Sequence, residues 1–139
     1  MILLDTNVVS EVMKAAPNPR VEAWLGAQPM AGLFITTITE AELRLGVALL
    51  SKSRRRDNLA AMVAAMLAED FTEHILPFDS AAAMAYAAMV VIRRQAGVPI
   101  AQVDAQIAAI AKSRGATLAT RNIADFKGCG IEIINPWSE

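Results

Sequence analysis

Short apolar runs alternate with longer amphipathic stretches along the whole chain, and this alternation limits the fold more than any other feature. Met1–Leu4, Leu33–Thr36, His74–Leu76, Thr117–Ala119 and Ile131–Ile134 have the length and composition of buried strands. Between them lie helical stretches: Asn7–Lys14, Arg20–Leu25, Thr39–Leu50, Asp57–Glu69, Ser80–Gln95 and Ala101–Arg114, with one helical turn at Ile123–Phe126. Pro17-Asn18-Pro19 breaks the first pair of helices, and Gly97 and Gly115 close the last two long ones. Strands that alternate with helices pair in parallel, so the pattern predicts an α/β sandwich with a central parallel sheet flanked by helices. The 139 residues suit a single domain over 1–139 and carry no linker signature. In such sheets, sites gather at the carboxyl ends of the strands, near a topological switch point.

Acidic residues fall at those places. Asp5 ends the first strand in "MILLDTNVVSE"; an aspartate there is also a good helix N-cap. Glu42, in "TITEAELRLG", is three residues after Thr39, the spacing of a capping box. Asp104, in "IAQVDAQIAAIAKSRG", lies beside an apolar stripe of Val103, Ile107, Ile110 and Ala111. It is the acid least explained by capping, because a carboxylate at a buried face is costly unless it is paired or bound to a metal. Asn122 and Asp125, in "LATRNIADF", have the spacing of a cap and its partner. Together, Asp5, Glu42, Asp104 and Asn122 can meet at one sheet edge. Oxygen donors of this kind suit a hard divalent cation such as Mg²⁺, which keeps several waters and takes few carboxylates.

Other chemistries fit poorly. No phosphate-binding Gly-x-x-x-x-Gly-Lys loop and no Gly-x-Ser-x-Gly elbow occurs. His74 sits in the apolar "EHILPF" and reads as strand structure. Asn7 occupies the place of the second acid expected of an aspartyl-phosphatase, which leaves phosphoacceptor chemistry at Asp5 a weak third reading. Cys129 is the only cysteine, so neither a disulfide within the chain nor a cysteine zinc cluster can form. The net charge of −1 excludes bulk electrostatic binding of nucleic acid. Lys52, Arg54, Arg55 and Arg56 read as a solvated helix start or as a local phosphate track, with Arg93 and Arg94 a weaker version of the same. Met62, Met66, Met84 and Met89 read as core packing. The absence of a charged leader and of a membrane span points to a soluble, reducing, cytoplasmic setting.

The motifs "LLDTNVVSE", "TITEAELRLGVALL", "ILPFD", "VDAQIAAIA", "LATRNIADF" and the terminal "INPW", in that order, resemble the PIN-domain ribonucleases, specifically VapC-type toxins of the FitB-like branch. That resemblance implies a PIN fold and Mg²⁺- or Mn²⁺-dependent cleavage of RNA. Asp5, Glu42 and Asp104 match the core acids, with Asp5 and Asp104 the foremost metal contacts and Glu42 a third. Asn122 stands at the fourth position, an aspartate in some members, and Asp125 is the acid nearest in sequence. Thr6, Asn7 and Thr120 match residues that brace the pocket. The resemblance further implies a homodimer and a small VapB/FitA-like antitoxin whose basic tail blocks the acidic pocket. DNA is then reached only through the antitoxin. The alternative is a catalytically weak PIN-fold binding module that acts with its antitoxin on operator DNA.

Overall fold

Leu3 and Leu4 point to opposite sides of β1 (Ile2–Leu4), and each is the seed of a separate core. The computed structural model describes residues 1–139. Its other strands are β2 (Leu33–Thr36), β3 (Ile75–Leu76), β4 (Thr117–Ala119) and β5 (Ile133–Ile134). All pair in parallel, in the order β3-β2-β1-β4-β5. The helices are α1 (Thr6–Val12), α2 (Pro19–Gly26), α3 (Thr37–Ala48), α4 (Arg54–Ala65), α5 (Ser80–Gln95) and α6 (Gln102–Arg114). The expected three-layer α/β sandwich is therefore present.

The strands read as continuous apolar runs because both faces of the sheet are covered. On one face, Leu3 and Leu118 meet Met89 of α5 and Ile107, Ile110 and Ala111 of α6. On the other, Leu4, Leu33 and Ile35 meet Val8 and Val9 of α1, Val21 of α2, Leu43 of α3 and Val63 of α4. β1 is central, with β2 on one side and β4 on the other. The chain leaves β1 toward β2 and β3, then returns to the far side for β4, so the switch point lies at the carboxyl ends of β1 and β4.

Local chemistry sets the boundaries. Asn18 accepts from the Arg20 amide and Pro19 opens α2. Gly115 ends α6 in the left-handed region, at φ 63°. Several sequence expectations need correction. The cap of α3 is Thr36, whose hydroxyl accepts from the Thr39 amide, so Thr39 and Glu42 do not form a capping box. α4 begins at Arg54, capped by Ser53, and closes in a π turn at Met66–Asp70; a good cap overrides the preference for starting at Asp57. Val103 is exposed rather than part of the α6 stripe, and Met62 and Met84 are exposed rather than core, whereas Met89 is buried. No helix is long and apolar enough to cross a membrane.

Candidate active site

Asp5 both caps a helix and links two strand ends. Its Oδ1 accepts from the Thr6 amide at 2.8 Å, capping α1, while its Oδ2 accepts from the Thr120 hydroxyl at 2.7 Å. Asn7 Nδ2 donates to the Thr120 hydroxyl at 3.3 Å and lies 3.4 Å from Asp5 Oδ2. The Asn122 amide donates to the same hydroxyl at 3.1 Å. One threonine at the end of β4 thus ties the tip of β1 to the loop that follows β4. Burial pushes the Asp5 carboxyl above its ordinary range against the hydrogen bonds from the Thr120 hydroxyl and the Thr6 amide, and the charges of Glu42 and Asp125 push it further.

Glu42 ends a chain of hydroxyls. Thr6 Oγ1 donates to Glu42 Oε1 at 2.6 Å and sits 3.0 Å from Thr39 Oγ1, which is 3.5 Å from Thr36 Oγ1. An ionised carboxylate only accepts, so the Thr6 proton points at Glu42. Thr39 then donates to Thr6, and Thr36 donates to Thr39. The carboxylate of α3 is thereby fixed to the first residue of α1.

Asp104 enters from the first turn of α6, half-buried. Its carboxyl is pushed up to about 6, first by burial and then by the charges of Asp5, Asp125 and Glu42; Arg93 opposes them. None of these influences is a hydrogen bond, and Asp104 makes no ion pair. The acids expected from sequence therefore lie within each other's electrostatic reach on the carboxyl-end side of the sheet, and Asp125 joins them. Asn122 reaches the group through its backbone; its side chain makes no capping bond, so the expected Asn122 cap is not formed.

A PIN domain model matches residues 2–127. The chain belongs to the PIN-domain family. It is 40% identical to the toxin FitB of Neisseria gonorrhoeae, with all of both chains covered. It is 39% identical to the VapC ribonuclease Y4jK of Sinorhizobium fredii over 99% of this chain and 98% of that one. The structure of FitAB bound to an IR36 DNA fragment superposes with a TM-score of 0.94 at 40% identity, covering 99% of this chain and 96% of that one.

In this PIN domain no three side chains among His, Cys, Asp and Glu are disposed to hold a metal ion between them. Asp5, Glu42 and Asp104 therefore do not form a three-carboxylate clasp. A Mg²⁺-like ion that keeps its waters needs only one or two carboxylates. Asp104, pressed by three like charges and without a hydrogen-bond donor, has the chemistry of such a ligand, and Asp5 is the nearest in influence. Carboxylates of this kind suit a hydrated divalent cation that keeps most of its waters.

Arg93 is the residue whose role the sequence reading missed. It is not a solvated helix charge: it is 7% exposed in the last turn of α5. Its spacing from Ala82 and Met89 on the buried face of α5 was the available signal.

Proposed function

We propose that this chain is the toxin half of a VapBC/FitAB-type pair and cleaves RNA with the help of Mg²⁺ or Mn²⁺. The observation that carries this is the convergence of Asp5, Glu42, Asp104 and Asp125 from separate elements on one another's field, with Asp104 left unpaired. Mutual repulsion of that kind costs stability and is relieved by a divalent cation. Such an ion supplies positive charge against the phosphoryl oxygens and makes water a usable nucleophile near neutral pH. Asp5 and Asp104 would hold it. Glu42, oriented by Thr6, takes the proton of the attacking water, and Asn122 lines the loop beside them. Water adds to phosphorus, the P–O bond to the leaving nucleotide breaks and the departing oxygen takes a proton from solvent, so no side-chain nucleophile is required.

A groove of about 830 Å³ opens beside Thr6 and Glu42. Leu43, Val47, Leu59 and Met62 line it, together with the basic Lys14, Arg54 and Arg55. It suits an amphipathic segment of a small antitoxin whose terminal basic side chain enters the acidic site through charge-assisted bonds. The FitAB complex on DNA supports a second role, in which the same assembly acts on operator DNA through the antitoxin. Exposed Met84, Val91 and Ile92 on α5 are suited to a homodimer contact.

The test is cleavage of a labelled RNA panel by the purified chain with Mg²⁺ or Mn²⁺, with EDTA, and by Asp104→Asn. Metal-dependent cleavage lost in the variant is expected. Cleavage that survives EDTA, or full activity in the variant, overturns the reading. Absence of any cleavage together with tight binding of a short upstream-encoded partner favours the DNA-binding role alone.

A further inference from the structure

Arg93 carries a buried positive charge, and all of its bonds go to neutral acceptors. Its Nε donates to the Val98 carbonyl at 2.6 Å. Its Nη1 donates to the carbonyls of Asp125 and Lys127 at 2.9 and 2.7 Å, and lies 3.5 Å from Cys129 Sγ. It forms no ion pair. An unpaired buried charge is expensive, so a side chain held this way is rarely a passive filler.

The acceptors explain the position. Val98 opens the short segment that leads into α6, where Asp104 lies in the first turn. The Val98 amide also donates to the Arg93 carbonyl at 3.0 Å, so backbone and side chain of Arg93 grip the same residue. Asp125 and Lys127 belong to the turn after β4 that begins at Asn122. One planar guanidinium therefore joins the approach to Asp104 to the loop bearing Asn122 and Asp125. An ammonium, a single point charge, cannot reproduce that fork.

We propose that Arg93 is a positioning residue that fixes the separation between Asp104 and the Asn122–Asp125 loop, and so sets how well the acidic site binds a divalent cation. This rests on the cation-binding reading of the site. Two roles for Arg93 predict opposite signs. If it is only a positive charge facing the acids, removing it removes repulsion toward an incoming cation, and the cation binds more tightly. If it positions the site, losing the fork weakens binding whether or not the charge remains.

The experiment is Mn²⁺ titration of the full chain, without RNA, for wild type, Arg93→Lys and Arg93→Gln, each checked for folding by circular dichroism. Amide hydrogen exchange of residues 122–129 is measured in parallel. Both variants are expected to bind Mn²⁺ about tenfold or more weakly, as for other groups that orient metal ligands. Residues 122–129 are expected to exchange faster while β1 and β4 keep their protection. Tighter binding by Arg93→Gln, or wild-type affinity in both variants, overturns the proposal. If Arg93→Gln does not fold, Arg93→Lys decides on the same criteria. In wild type, Mn²⁺ is also expected to slow exchange in residues 122–129, and no slowing counts against the proposal. A wild type that binds no Mn²⁺ overturns the cation reading itself, a result distinct from equal affinity among the three proteins.

Discussion

The Thr120 hydroxyl and the Asp5 carboxylate meet at 2.7 Å across 115 positions of sequence, a side-chain bond that reinforces the backbone bond from the Asp5 amide to the Ala119 carbonyl at the carboxyl ends of β1 and β4. Both residues are buried. Thr120→Val keeps the shape, removes the donor to Asp5 and leaves the Asn122 amide without its acceptor. A hydrogen bond to a charged group is worth about 2 kcal/mol, and that loss is expected in urea unfolding near neutral pH. An unchanged midpoint would mean that Asp5 is held by its other contacts.

Asp104 supplies a pH signature. Its folded-state value of about 6 lies above the ordinary 3.8, so the fold binds a proton more tightly than the unfolded chain does. Stability in the absence of metal therefore falls as pH rises from about 4 to about 6, and stays reduced above that. Asp104→Asn removes the penalty. The variant is expected to be more stable than wild type near pH 7, by on the order of 1 kcal/mol after solvent screening, and equal to it near pH 4. Thermal melts across that range in EDTA test this; a constant gap at every pH would show that the carboxylate is not strained by its neighbours. Greater stability with lost cleavage is the pattern of a residue retained for function.

Parallel pairing and a site at the carboxyl ends of strands follow from alternation and from acids at strand ends, both of which are local patterns, whereas the strand order was not legible. Ser80–Gln95 and Thr117–Ala119 are bounded in the structure as the sequence predicts, because capping Asp79 and the apolar run are local too. Tertiary partners were not legible. Thr39 and Glu42 have capping-box spacing, yet Thr36 takes the cap and Glu42 turns to Thr6, 36 residues away. Arg93 looked like Arg94, although only one of them faces the core. The burial of a charge depends on carbonyls supplied by a distant loop, which no periodicity records.

The hydroxyl chain ending at Glu42 predicts graded effects on catalysis. In the proposed reaction Glu42→Gln removes the proton acceptor, and the variant is expected to lower the cleavage rate by about 10²–10⁴-fold. Thr6→Val leaves the carboxylate but frees its orientation, so a smaller loss is expected, chiefly in kcat. Because both substitutions disturb one unit, the double variant is expected to be little worse than Glu42→Gln alone. Multiplied losses in the double variant would separate Thr6 from the function of Glu42.

Burial distinguishes two isoleucines of identical chemistry. Ile107 of α6 is fully buried against the sheet, in the same cluster as Leu3 and Leu118. Ile107→Ala leaves a cavity that close-packed neighbours fill only in part, at a cost of about 2–5 kcal/mol. Ile92 of α5 is 57% exposed, so Ile92→Ala is expected to change monomer stability by less than about 0.5 kcal/mol. If the exposed face of α5 is the homodimer contact, that same substitution weakens self-association in sedimentation equilibrium while Ile107→Ala acts mainly on unfolding. Equal effects of the two substitutions on the unfolding midpoint would contradict the burial assigned to these helices.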